Sequence, residues 1–485
     1  MNPGTDAERT RWLALYVLCA GMFMIVIDAT IVNVALPSIK DDLDFTQNNL
    51  AWVVNAYLIA FGGSLLLAGR LGDLLGYRRI FMIGLTVFTG ASLLCALSQS
   101  QEVLIAARFV QGAGGALASA VTLGMIVTMF TEPREQAKAI GVYGFVASAG
   151  GSIGLLVGGI LTDAISWHWI FFVNVPIGLV TGLLAMRHVE GRPGIGLKEG
   201  ADLPGAVLVT SGLMLAVYTI LGVNDHGWGS ARTLILAAVA IGLVALFVFR
   251  QTRIEKPLMP LRLFHSRNVS GANIVIALLV VGMFGIFFLG ALYMQLVLGY
   301  SPLQVGLAFL PANVIMGLFS VGLSAKLVMR FGIKPPLVTG LGFAAAGSIL
   351  LSFAPADGTF AVNILPSMIL LGIGAGMAFN PVLLAAMSDV RPEQSGLASG
   401  IVNTAFMMGG ALGLAVLASL ADWRTGNLRD SGSSELAALT GGYQLAFVVS
   451  TVFAVGAAAI AGLLLRPGGA PQHAAAHGEV AAELD

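Results

Sequence analysis

The chain has 485 residues, 57% of them hydrophobic and 10% charged, and its 25 Lys and Arg balance 25 Asp and Glu. That balance leaves no basic face for nucleic acid, and apolar runs recur that are each long enough for a helix to cross about 30 Å of hydrocarbon. The composition excludes an ordinary soluble domain and points to an all-α membrane protein.

Residues 1–11, with Arg9 and Arg11, form a short tail before the first apolar run, 12–37, which is too long for the h-region of a signal peptide. This run holds Asp28, the one acidic residue in the middle of any predicted span. A carboxylate at such depth is costly, which marks it as a proton or ion site. Spans follow at 50–69 and 79–98, joined by the turn Gly69–Arg79, and at 102–129, where Arg108 and Gln111 interrupt the apolar sequence. The fifth span, 138–162, repeats Gly150, Gly154 and Gly158 every four residues. Small residues at that spacing let helices approach closely and form a seam on which they slide or rock. The sixth span is 168–186. Cys19 and Cys95 both lie inside apolar runs, so no disulfide framework, metal site or cofactor is expected.

Two more spans, 203–222 and 232–249, precede a second series at 270–298, 304–329, 336–354, 361–388, 396–421 and 443–466. The tail beyond Arg466 has no apolar face and reads as disordered. The stretch Thr131–Gly141 recurs as Val390–Gly400; Gly112 and Gly114 answer to Gly372 and Gly374, and Gly150 and Gly151 to Gly409 and Gly410. Duplicated halves are the usual plan of secondary transporters, with the substrate held between them near the midplane. If the N-terminus lies inside, the outer side receives only Lys40, Arg232, Arg424 and Arg429 of the 25 basic residues, and Arg108 stays within a span. The asymmetry makes both termini cytoplasmic in a multi-pass protein of the inner (plasma) membrane.

Asp28 and Arg108 stand about 13 Å and about 9 Å from the outer ends of their helices, by the rise per residue of an α-helix. Two lone charges of opposite sign at similar depth lower each other's desolvation cost, and Gln111 shares the helical face of Arg108. Asp28, Arg108 and Gln111 are therefore the expected proton-coupling set, with a static ion pair as the competing reading. Asn33 lies about 140° around the helix from Asp28 and reads as an interhelical hydrogen bond. Asn55, Asn174, Asn313 and Asn403 read as the same kind of glue. Asn380 extends a stripe with Gly372 and Gly376 that is expected to face the cavity. Tyr57, Tyr143 and Gln295, polar atoms within apolar helices, complete the expected substrate-binding set. With 26 Phe, 8 Tyr, 6 Trp and 18 Met the chain has enough soft side chains to line an adaptable pocket.

Several motifs together resemble the major facilitator superfamily, and within it the fourteen-span drug:proton antiporter branch. The most specific is Gly69-Arg-Leu-Gly72-Asp73-Leu-Leu-Gly76-Tyr-Arg78-Arg79, similar to the superfamily's loop between the second and third helices. Asp28-Ala-Thr-Ile-Val-Asn33-Val-Ala-Leu-Pro37 resembles the branch's first-helix motif, and Arg108-Phe-Val-Gln111-Gly112-Ala-Gly114 its proton-coupling motif. The resemblance implies two six-helix bundles, 12–190 and 263–466, a linker 191–262 carrying two extra helices, and cytoplasmic ends at 1–11 and 467–485. It also implies a gating role for Gly69, Gly72, Asp73, Gly76, Arg78 and Arg79, with Asp73 locking the cytoplasmic ends of two helices. One departure stands out: Leu155 occupies the position where the antiporter motif of the fifth helix has proline.

These features lead to an expected proton-driven exporter of hydrophobic or amphipathic small molecules, acting by alternating access as a monomer in contact with membrane lipid. A single buried acid favours neutral or monovalent substrates. No G-x-x-x-x-G-K-[ST] cradle is present for ATP, and no Ser/His pair or metal set lies within the spans, so the chain is not expected to be an enzyme. A proton-coupled symporter or facilitator of a metabolite is the alternative that Leu155 keeps open, and a receptor or channel is the alternative from another class.

Overall fold

The structure, a computed structural model, describes residues 3–130, 132–191, 193–194, 196, 202–255, 257–319, 323–390 and 395–465. The predicted tail 467–485 and parts of both copies of the 131–141 repeat lie outside them. Among the described residues there is no strand. The first six long helices are α1 (Pro3–Asp42), α2 (Trp52–Leu75), α3 (Tyr77–Ala96), α4 (Gln101–Met129), α5 (Pro133–Ala164) and α6 (Asn174–His188). Next come α7 (Leu203–Leu221) and α8 (Ala231–Arg253). The rest are α9 (Arg267–Leu292), α10 (Pro302–Leu318), α11 (Lys334–Ser352), α12 (Leu365–Met387), α13 (Ser395–Asp430) and α14 (Glu435–Leu464).

Among the described residues, twelve helices are long and apolar enough to cross a membrane. Two further apolar stretches, Ala149–Ala164 in α5 and Pro302–Leu318, are shorter. They fall where the sequence predicts spans 138–162 and 304–329. Pro37 does not end α1 as expected: the helix runs on to Asp42. A proline in the last turns forfeits only one backbone bond there. Several helices start on a Ser or Asp that accepts a first-turn N–H, as Ser100 does from Val103 and Ser434 from Ala437.

Glycine contacts repeat between the two series. A side-chain carbon on Gly84 would lie 2.8 Å from Gly114 O, and one on Gly340 would lie 2.9 Å from Gly374 O, so α3/α4 and α11/α12 pack alike. Gly112 rests on the backbone of Tyr57 in α2, and Gly372 on that of Ala312 in α10. Gly154 and Gly158 face the carbonyls of Ile27 and Ile31 in α1, while Gly409 and Gly413 face Ala277 and Val281 in α9. Close backbone approach of this kind substitutes for the hydrophobic driving force that lipid removes.

The two series meet along two lines. At the end of the molecule remote from the termini, Gly159 of α5 lies against the backbone of Leu303, and Gly306 of α10 against Leu155 O. Gln295 Nε2 donates to Val34 O at 2.9 Å nearby. Along the second line, Gly400 of α13 faces Leu66 of α2. The pair α7/α8 covers this second seam. Thr210 meets Gly63 of α2, and Asn224 Nδ2 donates to Asp422 Oδ2 of α13 at 2.9 Å. Asp202 closes the base of the pair, accepting from Gly205 N, Arg250 Nε and Gln251 Nε2. Burial opposes its ionisation, but the Arg250 and Gln251 bonds and the Gly205 N–H outweigh that and hold the carboxyl below the ordinary carboxylate range. α8 presents Ile235 and Ile241 outward.

Gly154→Val would drive a side chain into Ile27 O, whereas Gly151 faces open space. Thermal unfolding of the solubilised protein should show Gly154→Val destabilised by about 1–3 kcal/mol and Gly151→Ala within about 0.5 kcal/mol of wild type. Equal melting of the two variants would contradict the seam.

Candidate functional site

Asp28 and Arg108 meet as their depths require. Arg108 Nη1 donates to Asp28 Oδ2 at 2.6 Å, and the side chains are 1% and 0% exposed. The other carboxylate oxygen accepts from Gln111 Nε2 and from Asn174 Nδ2, each at 2.8 Å. Arg108 Nη1 also donates to Gln111 Oε1 at 2.7 Å, and Nε donates to Val53 O at 3.0 Å. Its guanidinium lies over the Tyr57 ring, 4.3 Å from the centroid. Asn174 donates further to Ser92 Oγ, which donates to Phe171 O. Groups from α4 and α6 thus close on the α1 carboxylate, with α2 behind Arg108 and α3 behind Asn174.

The site is assembled from helix starts and small residues. Arg108 lies two turns inside α4 from the Ser100 cap, with Gln111 one turn further on the same face. Asn174 is the first residue of α6 and so reaches sideways into the bundle. The glycine face of α5 presses α1 on both sides of Asp28, from Val26 to Ile31. Three donors, from Arg108, Gln111 and Asn174, occupy the two carboxylate oxygens. Loss of either charge would leave the other buried and unmatched.

The expected interhelical role of Asn33 is corrected: its Nδ2 donates to Thr30 O of its own helix at 3.1 Å. Asn174 was visible only as helix glue, yet it touches the carboxylate. An amide at the mouth of an aromatic-rich span was the one signal available. Asn313 lines a cavity in the second series.

The signature turn is also in place. Gly76, at φ 95°, lets α2 pass directly into α3, a backbone conformation that favours glycine. Gly72 packs on Val121, and Gly69 faces open space. Asp73 belongs to the last turn of α2 and accepts from Tyr77 Oη at 2.8 Å. Arg78 reaches Met186 O in the last turn of α6 at 2.5 Å, where a cation suits the helix dipole. Arg79 is exposed. Gly196 N donates to Leu74 O at the end of α2.

The expected substrate set divides. Tyr57 is buried in the first series over the Arg108 guanidinium, with Gly112 and Gly115 of α4 packed against it. Tyr143 is half-buried against the same core. Gln295 is engaged with Val34 O between the two series. Asn380 is half-buried on α12. The Gly372 and Gly376 stripe below it presses on Ala312 and Met316 of α10, and Gly372 also lines the cavity that Asn313 borders.

The sequence profile of the Major Facilitator Superfamily matches residues 18–414. The puromycin resistance protein pur8 of Streptomyces alboniger is 37% identical over 92% of this chain and 89% of its own. The cephamycin export protein CmcT of Amycolatopsis lactamdurans is 37% identical over 95% of this chain and 94% of its own. Among solved structures, a bacterial homolog to the human lysosomal transporter Spinster, inward-facing and unoccupied, superposes with a TM-score of 0.69 at 17% identity. It covers 94% of this chain and 97% of that one, a likeness of fold.

Removing one partner of a buried ion pair strands the other, at about 3–5 kcal/mol. Arg108→Ala should therefore lower thermal stability sharply, and the double variant Arg108→Ala/Asp28→Asn should recover much of the loss. Arg108→Lys should fall between, since a lysine cannot hold Asp28, Gln111 and Val53 O together. Equal stability of the single and double variants would show that the pair is not coupled.

Proposed function

The chain belongs to the Major Facilitator Superfamily, and from that membership we propose that it is a proton-driven exporter of hydrophobic or amphipathic small molecules. The export name of CmcT and the resistance name of pur8 support the direction of transport. The buried carboxylate carries the coupling: Asp28, matched by Arg108 and held by Gln111 and Asn174, takes a proton from the outer side. It then releases its hold on α4 and α6, and gives the proton up inside when the halves rock back.

In this reading the chain spans the membrane fourteen times, α5 and α10 completing the twelve clearer spans, with both termini cytoplasmic. Residues 12–190 and 263–466 are the two six-helix bundles and 191–262 the inserted pair. The protein works as a monomer, with the outward apolar faces of α7 and α8 against lipid. The Asp73 turn, tied to Tyr77 and to α6 through Arg78, is the cytoplasmic latch, and the α1/α5 glycine seam is the surface on which the bundles rock. The contacts of Gly159, Gly306 and Gln295 close the outer side.

Symport is the second reading, because Leu155 replaces a helix-breaking proline. α5 runs unbroken through Leu155, and Leu155 O stands against Gly306. The glycine seam makes the missing kink dispensable, and this favours antiport.

In proteoliposomes with an imposed pH gradient, Asp28→Asn should abolish gradient-driven substrate movement while remaining folded and inserted. Full flux in that variant would remove Asp28 from the coupling. Leu155→Pro should change the rate or the stability without reversing coupling. Internal pH, followed as substrate is added, checks this: substrate entering together with protons, in wild type, would make the protein a symporter.

A further inference from the structure

The second series contains a cavity of about 60 Å³ among α9–α12 and α14, room for several waters. Its position follows from the internal repeat. Gly112 sits on Tyr57 and Gly372 on Ala312; Gly114 sits on the backbone of Phe88 and Gly374 on that of Ala344. With those registers fixed, the counterparts of Arg108, Gln111 and Ser92 are Met368, Leu371 and Ser348. All of these counterparts line the cavity, as do Ala312 and Ala344. The cavity is thus the second-half image of the ion-pair site. Where the first half fills the space with Tyr57, Phe88, Arg108 and Gln111, the second has two alanines, a methionine and a leucine.

The vacated space is apolar and adaptable. Met283, Met316 and Phe287 complete its walls, and no acidic or basic side chain lines it. Ser348 Oγ is already engaged with Ala344 O. One polar group stands out: Asn313, 8% exposed, lines the cavity with its Nδ2 buried and without a partner. A buried amide donor left unpaired is costly, and an arriving acceptor relieves it.

We propose that this cavity binds the uncharged, apolar end of the transported small molecule, a ring or branched hydrocarbon bearing one acceptor oxygen that takes the Asn313 Nδ2 hydrogen bond. The inference rests on the exporter reading and adds the substrate class to it. It also divides the labour between the halves: the first holds the proton, and the second holds the neutral ligand, away from any competing charge. A lipid tail is the lesser fit, since the site corresponds to the sealed interior of the first half.

The probe is benzophenone, two rings around one carbonyl, whose photoexcited ketone inserts into nearby C–H bonds. It is irradiated with the full-length protein in phosphatidylcholine nanodiscs, and adducts are mapped by peptide mass spectrometry. Adducts are expected on Met283, Met316 or Met368. Ala312→Phe and, from another wall, Ala375→Leu should each reduce them at least tenfold, both variants being checked for an unchanged melting profile. Asn313→Leu should raise the benzophenone concentration for half-maximal labelling about tenfold, the size of one hydrogen bond. Adducts confined to outward residues such as Ile241 and indifferent to the filling variants would overturn the proposal. So would cavity labelling that declines as added phospholipid rises, because an acyl chain would then be the occupant. Labelling needs no transport, so cavity adducts without gradient-driven flux would sink the exporter reading alone, and flux without cavity adducts would sink the pocket alone.

Discussion

A buried carboxylate and a buried guanidinium, 2.6 Å apart and closed to solvent, constrain everything else in the first half of this chain. Neither charge is tolerable alone in a membrane interior. The pair therefore requires α1 and α4 to stand at a fixed register, Gln111 and Asn174 to occupy the remaining lone pairs, and Tyr57 to cover the cation. The same requirement gives the site its sensitivity. Adding one proton removes one charge, and the arrangement that was best for an ion pair is no longer best for a neutral acid beside an arginine.

The glycine contacts explain how so demanding a site is compatible with movement. Backbone held against backbone, as at Gly154 on Ile27 and Gly409 on Ala277, leaves few interlocking side chains to disengage when helices shift. The repeat of these contacts in both halves keeps the scaffold constant while the interiors diverge. One interior became polar and full, the other apolar and partly empty. The inserted α7/α8 pair adds a brace over one seam, through Thr210 on α2 and Asn224 on α13.

Much of this was legible in the sequence because lipid restricts the choices. A lone Asp and a lone Arg at similar depth have little alternative to meeting, and their helices' ends could be counted from. The part played by Asn174 was not legible, since amides glue helices in many places and nothing in the sequence says which one faces a charge. Tyr57 looked like a pocket residue for the same reason: a hydroxyl in an apolar helix reads alike whether it faces substrate or seals an ion pair. The Gly372 stripe was recognised as a face, but periodicity does not say how that face divides: it meets α10, and Gly372 also borders the cavity. Pro37 misled about the end of α1 because a proline near a helix end is cheap. The cavity at Asn313 was out of reach altogether, being produced by small residues on separate helices that only the fold brings together.

The central claim is that Asp28 itself gains and loses a proton during the cycle. The most direct measurement is the infrared difference spectrum of the protein in lipid as pH is stepped, with the carbonyl stretch of protonated carboxylic acids resolved in wild type and in Asp28→Asn. The wild-type spectrum should contain a buried-carboxyl band that grows on acidification, shifts when substrate is added, and is missing from the variant. The same band persisting in Asp28→Asn, or no such band in wild type at any pH at which the protein stays folded, would contradict the claim.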